Sequence, residues 1–125
     1  MRKRSPLLAV PSELRRGDVV RARLDPVEGS EQAGERPVLI LSPDVISEHS
    51  PVIIVAAITS KRTDRLFAFE ALLDPPDGGL SLRSKVMLTQ LRSVNKTRLT
   101  GYYGRASDAA MHQVDQALRV AVGLK

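Results

Sequence analysis

The stretch Val52-Ile53-Ile54-Val55-Ala56-Ala57-Ile58 is apolar on both faces and mostly β-branched, and it stops abruptly at Thr59-Ser60-Lys61-Arg62. A run of that length and composition is the pattern of a strand buried on both sides, at the centre of a sheet. The segments around it alternate instead. Gly17-Asp18 leads into Val19 to Leu24, where Val20, Ala22 and Leu24 interleave with Arg21 and Arg23, giving one buried and one basic face. Pro37 opens a strand over Val38-Leu39-Ile40-Leu41. Ser42-Pro43-Asp44 then has the pattern of an N-cap with proline at the first helical position, predicting a helical turn before His49. Leu66 to Leu73 is a further strand candidate, and Asp74 to Gly79 is a turn by composition. Lys85 to Leu91 alternates, with Lys85, Met87, Thr89 and Leu91 opposite Val86, Leu88 and Gln90, and a short strand lies around Tyr102 and Tyr103.

A helix closes the chain. Ser107 is a good N-cap, Asp108 sits in the first turn, and Met111, Val114, Leu118 and Val122 recur at helical spacing before Gly123. Short strands followed by one helix predict a small barrel or rolled sheet with the helix packed against it. Residues 1–14, basic and interrupted by Pro6 and Pro11, read as a mobile extension, and residues 15–125 as the folded domain. Asp25 to Arg36, with Pro26, Gly29 and Gly34, reads as a long surface loop, a kind of segment that is usually functional or mobile.

At 125 residues and 42% hydrophobic the chain supports one ordinary core, and 3% aromatic content makes that core aliphatic. A base-stacking platform could rest only on Phe67, Phe69, Tyr102 and Tyr103, which argues against readers of RNA that use rows of aromatics. Cysteine is absent, and His49 and His112 lack a metal-ligand spacing, so neither a metal nor another cofactor is expected. The net charge of +5, with Arg2, Lys3, Arg4, Arg15 and Arg16 crowded near the start, favours a polyanionic partner. The apolar run from Pro6 to Pro11 is too short for a signal peptide or membrane span, so a cytoplasmic protein without a membrane partner is expected.

Cutting RNA without a metal sets a defined task. The 2′-hydroxyl must lose a proton as it attacks phosphorus, the 5′-oxygen must gain one as it leaves, and extra negative charge must be held between. Arginine suits the charge because its planar fork can hold two phosphate oxygens, although its pKa makes it a poor base. Arg36 stands apart from the other basic residues at the junction of the loop and an apolar strand, with Pro37 stiffening its exit. The alternative is an ordinary solvated charge. Thr59, the first polar residue after the buried run, could reach a cleft at the strand end. On the residues alone, the stronger reading is a hydroxyl that satisfies the last backbone group of the strand.

In order along the chain, Arg16-Gly17-Asp18-Val19-Val20, Leu24-Asp25-Pro26, Gly29-Ser30-Glu31-Gln32, Arg36-Pro37-Val38-Leu39, Ala56-Ala57-Ile58-Thr59-Ser60 and Gln90-Leu91-Arg92-Ser93-Val94-Asn95-Lys96-Thr97-Arg98-Leu99 resemble the MazF/PemK toxins. The resemblance runs from about Arg15 to Leu124. It implies an SH3-like antiparallel β-barrel of the MazF/PemK/CcdB kind with a C-terminal helix, assembled as a homodimer. It further implies a type II toxin that cuts single-stranded RNA at short motifs, leaving 2′,3′-cyclic phosphate and 5′-hydroxyl ends. By the same resemblance Arg36 and Thr59 are catalytic, and Glu31, Ser84 and Gln90 contact RNA. Lys61, beside Thr59, is a plausible phosphate contact. The implied partner is a MazE-like antitoxin with an acidic C-terminal segment. Two departures stand out. Val20, Arg21 and Ala22 fall where many relatives carry an aromatic, and Lys85 is unusual after Ser84.

Two rivals share the composition. One is a toxin of the same fold that poisons DNA gyrase, although Val122-Gly123-Leu124-Lys125 lacks the tryptophan those relatives use. The other is a basic RNA-binding module that does not cut.

Overall fold

The central run is β3 (Val52–Thr59), hydrogen-bonded on both sides within one antiparallel sheet. The computed structural model describes residues 7–24 and 34–125. Around β3 lie β1 (Asp18–Leu24), β2 (Gly34–Ile40), β4 (Glu70–Leu73), β5 (Ser84–Asn95) and β6 (Leu99–Arg105), in the order β4-β5-β3-β2-β1-β6. The described residues also form two α-helices, α1 (Asp44–His49) after β2 and α2 (Asp108–Val122) after β6.

Irregular pairing curls the sheet into a half-barrel. Register shifts interrupt β1–β6 twice and β3–β5 once, where β5 inserts Leu88, Thr89 and Gln90 between the partners of Ala57 and Ala56. Extra residues in one strand bend it and sharpen its twist. The connection after β4 then reaches the opposite edge. Gly79, at φ +72°, packs against β6 so closely that a Cβ would strike the Tyr103 carbonyl oxygen. Only glycine fits there. The two edge strands are thereby linked through a turn, as the expected SH3-like barrel requires.

Each face of the sheet has its own aliphatic core. Val19, Leu39, Ile58, Leu73, Val86 and Leu88 meet Ala110, Val114 and Ala117 of α2. Val20, Ala22, Val38, Ile40, Ile53 and Val55 form the other, with Leu14 and Val94. The α2 start is fixed as its sequence predicts, Ala110 N–H donating to Ser107 Oγ (3.1 Å), and Asp77 accepts from both the Ser107 backbone and its hydroxyl (2.7 Å each). Val122 is 49% exposed, so the buried stripe is shorter than the periodicity suggests.

Several boundaries differ from the sequence reading. Gly34 to Arg36 belong to β2 rather than to the loop, because β1 pairs with them, Arg36 lying opposite Ala22. Ser42 does not cap α1. Its hydroxyl accepts from Ile54 N–H (2.6 Å), and Pro43 occupies the cap position without a side-chain bond. Residues 7–14 are docked rather than free: Leu8 forms a β-bridge with Tyr102, and Leu14 is buried. Arg16, grouped above with the basic amino-terminal residues, holds Asp115 of α2 (2.7 Å) and the Leu41 carbonyl (2.9 Å). No helix among the described residues is long and apolar enough to cross a membrane.

Candidate active site

Strand register brings the two proposed catalytic residues to one face. Val38 pairs with Ala57 and Leu39 with Ala56. Carried two residues further, that register would set Arg36 of β2 level with Thr59 of β3, although no β2–β3 pair forms beyond Val38–Ala57. Alternation puts Arg36 on the face of Val38, and Thr59 on the face of Ala57. The β2–β3 ladder ends at Val38–Ala57, and Arg36 and Thr59 each lie two residues beyond that pair on their own strands. Arg36 is exposed and Thr59 half-buried.

The Thr59 hydroxyl accepts from the Lys61 backbone N–H (3.1 Å). This is the local backbone role that the sequence left open. It does not consume the hydroxyl proton, which stays the group Thr59 can offer a phosphate oxygen. Lys61 itself is exposed beside it.

The other expected contacts divide. Glu31 lies outside the described residues. Gln90 is half-buried in the β5 insertion, its amide 3.7 Å from Met87 Sδ, and Met87 pairs with Ala57 on the Thr59 face. Ser84 is not brought to this face: it is buried opposite Leu73, and its hydroxyl donates to the Leu82 carbonyl (2.9 Å). The residue directly across from Thr59 is Lys85.

Lys85 is the feature that sequence reasoning undervalued. Its ammonium is sealed between Glu70 Oε1 and the Arg65 carbonyl, 2.9 Å from each, with the Lys85 and Glu70 side chains 5% and 8% exposed. The same carboxylate oxygen accepts from Phe67 N–H (3.1 Å), and Glu70 N–H returns a bond to the Phe67 carbonyl (2.9 Å). One buried pair thus anchors Arg65 and Phe67 in the segment between Thr59 and β4, which carries the exposed cations Lys61, Arg62 and Arg65. A lysine directly before the apolar run Val86-Met87-Leu88 was the available signal.

A second concavity, about 390 Å³, lies near the opposite end of the sheet and is lined by Pro11, Ser12, Glu13, Arg15, Asp18 and Tyr102. Buried Asp18 accepts there from Arg15 N–H (2.8 Å) and Arg105 (3.2 Å). Burial, and then the Asp18 charge, push the Tyr102 phenol above its ordinary pKa.

Residues 15–122 match the family described as PemK-like, MazF-like toxin of type II toxin–antitoxin system. The chain is 39% identical over 111 residues to Endoribonuclease EndoA of Bacillus subtilis (strain 168), covering 89% of this chain and 96% of that protein. Among solved structures it is similar to a mycobacterial endoribonuclease in complex with its cognate antitoxin, at TM-score 0.74 and 26% identity, over 90% of this chain and 97% of that one. It is also similar in fold to MazF from Deinococcus radiodurans, at TM-score 0.76 and 23% identity, over 91% of this chain and 100% of that one.

Proposed function

The chain belongs to the PemK-like, MazF-like family of type II toxin–antitoxin toxins, and on that premise we propose that it is an endoribonuclease cutting single-stranded RNA at short motifs without a metal. The observation that supports this reading is that the β2–β3 ladder closes at Val38–Ala57, with Arg36 and Thr59 each two residues beyond that pair on its own strand. In the proposed reaction the ribose 2′-oxygen bonds to phosphorus as its proton leaves. The P–O5′ bond breaks, and the 5′-oxygen takes up a proton. The products are a 2′,3′-cyclic phosphate and a 5′-hydroxyl.

Arg36 holds the negative charge that builds on the phosphate and assists proton transfer, and Thr59 donates its hydroxyl to a phosphate oxygen. The Lys61 N–H fixes the direction of that hydroxyl. Lys61 and Gln90 contact the strand, as does Glu31 from the β1–β2 connection. Ser84 is withdrawn from the RNA contacts, because its hydroxyl is buried and directed at Leu82.

The partners we propose are a second copy of the chain and an antitoxin whose acidic C-terminal segment lies over the basic site, all within the cytoplasm. The antitoxin-bound mycobacterial neighbour supports such a partner. Charge complementarity favours an acidic segment there.

The test is cleavage of a long defined RNA in excess EDTA. Wild-type protein is expected to leave cyclic phosphate ends, and Arg36→Ala or Thr59→Ala to slow cutting by about 10²–10³, the usual effect of removing one transition-state donor. Cutting that requires added magnesium would overturn the mechanism. Plasmid breakage dependent on gyrase, with RNA left intact, would replace it.

A further inference from the structure

We propose that Phe67 is a nucleobase-stacking site that seats one unpaired base of the RNA strand beside the Arg36–Thr59 face. The inference rests on the nuclease reading and adds a specificity element to it.

The ring is unusual for a chain so poor in aromatics. Phe67 and Phe69 stack with centroids 5.3 Å apart and planes only 6° from parallel. Phe69 is half-buried, whereas Phe67 keeps 45% of its surface exposed. The Arg65 guanidinium carbon lies 5.7 Å from the Phe67 centroid and the Lys85 ammonium 5.9 Å. Lys85 is sealed by Glu70, so the exposed cation at the ring is Arg65. An exposed aromatic beside an exposed guanidinium is the arrangement that single-stranded nucleic acid uses, bases on rings and phosphates on charges.

The ring is also held in place. Glu70 accepts from Phe67 N–H, Lys85 holds Glu70 and the Arg65 carbonyl, and Lys85 stands in register with Thr59. Arg62, at φ +55°, turns the chain so that Arg65 N–H reaches the Arg62 carbonyl (3.3 Å). The ring is therefore held through Lys85, which stands across the β3–β5 ladder from Thr59, while the Thr59 hydroxyl takes its own bond from Lys61 N–H. Lys85 is a positioning residue for the ring. A platform built this way loses little entropy when a base arrives. It also supplies a ring on β4's approach, whereas β1 offers Val20, Arg21 and Ala22.

The experiment has two stages. Cut sites are first mapped with wild-type protein. An all-deoxy oligonucleotide spanning one mapped site, which cannot be cut, is then scanned with 2-aminopurine, whose fluorescence is quenched on stacking. Wild-type protein should quench the probe at one position. Phe67→Leu, which keeps apolar bulk but removes the ring, should abolish that quenching and weaken binding roughly five- to hundredfold. Phe67→Trp should restore both, and the thermal midpoint should hardly move in either variant. Equal quenching and affinity in wild type and Phe67→Leu would overturn the inference while leaving the nuclease reading intact. So would a change of oligomeric state in Phe67→Leu with quenching retained, since Phe67 would then face a second copy of the chain. Failure of the wild-type protein to cut any RNA would overturn the nuclease reading, and with it the inference.

Discussion

Both ends of the sheet bury a charge, and they compensate it differently. At the β4–β5 end Lys85 and Glu70 are both sealed from water. At the β1–β6 end Asp18 is sealed at 5% exposure, but Arg105 stands 43% exposed and the other bonds come from the Arg15 backbone N–H and the Tyr102 hydroxyl. A sealed pair has no solvent to fall back on when one member is lost, whereas a half-open pair does. The first end holds the loop beside Thr59, and the second holds the turn that leads into β1. Geometry near the chemistry therefore depends on the more brittle of the two arrangements.

That contrast can be tested directly. Lys85→Met leaves the Glu70 carboxylate buried without its cation and should cost about 3–5 kcal/mol in urea unfolding. Adding Glu70→Leu should recover most of that loss. Cleavage should stay impaired in the double variant even though its stability returns, because the loop has lost its anchor. A loss below about 1 kcal/mol for Lys85→Met would place the pair with exposed ion pairs and erase the contrast. Asp18→Asn should cost less, about 1.5–3 kcal/mol, since the bonds lost are charged ones but Arg105 can turn to water. It should leave cutting almost unchanged.

The smallest effect concerns pH. Tyr102 sits 3.5 Å from Asp18, and burial followed by the Asp18 charge raises its pKa in the folded protein. A raised folded value contributes stability that is complete below the ordinary phenol pKa. That contribution is lost as pH climbs through the higher folded value. Urea midpoints between about pH 9 and pH 12 should fall more steeply for wild type than for Tyr102→Phe. Asp18→Asn should lessen the upward shift without abolishing it, because burial is its larger cause. Spectrophotometric titration of the phenol checks this.

The parts legible in the sequence were those specified locally. The β-branched run of β3 and the Ser107 and Gly123 ends of α2 depend on neighbours in the chain, and all three were readable there. Pairing across the sheet was not. Gly34 to Arg36 show no alternation and become strand only because β1 pairs with them. The alternation from Lys85 holds through Leu88 and fails where β5 inserts its extra residues. Half of the strand expected over Leu66 to Leu73 is instead a loop, tied by a lysine fifteen residues beyond Glu70. The same limit applies to the site. Arg36 and Thr59 could each be singled out at the end of an element, but their common face follows from register. Phe67 could be noted only as one of four aromatics, because its stacking on Phe69 and its anchoring by Glu70 are tertiary.

The bridge between Leu8 and Tyr102 bears on how these molecules behave when crowded. Without it, β6 would offer a row of unmet amides and carbonyls on which a stranger's backbone could grow. The visiting strip is a poor template in its turn, because Pro11 brings no N–H and residues 9–13 form no further ladder. At the other rim β4 is only four residues long. A sheet finished in this way resists propagating into fibrils, and a copy trimmed of its first fourteen residues should be the one that precipitates.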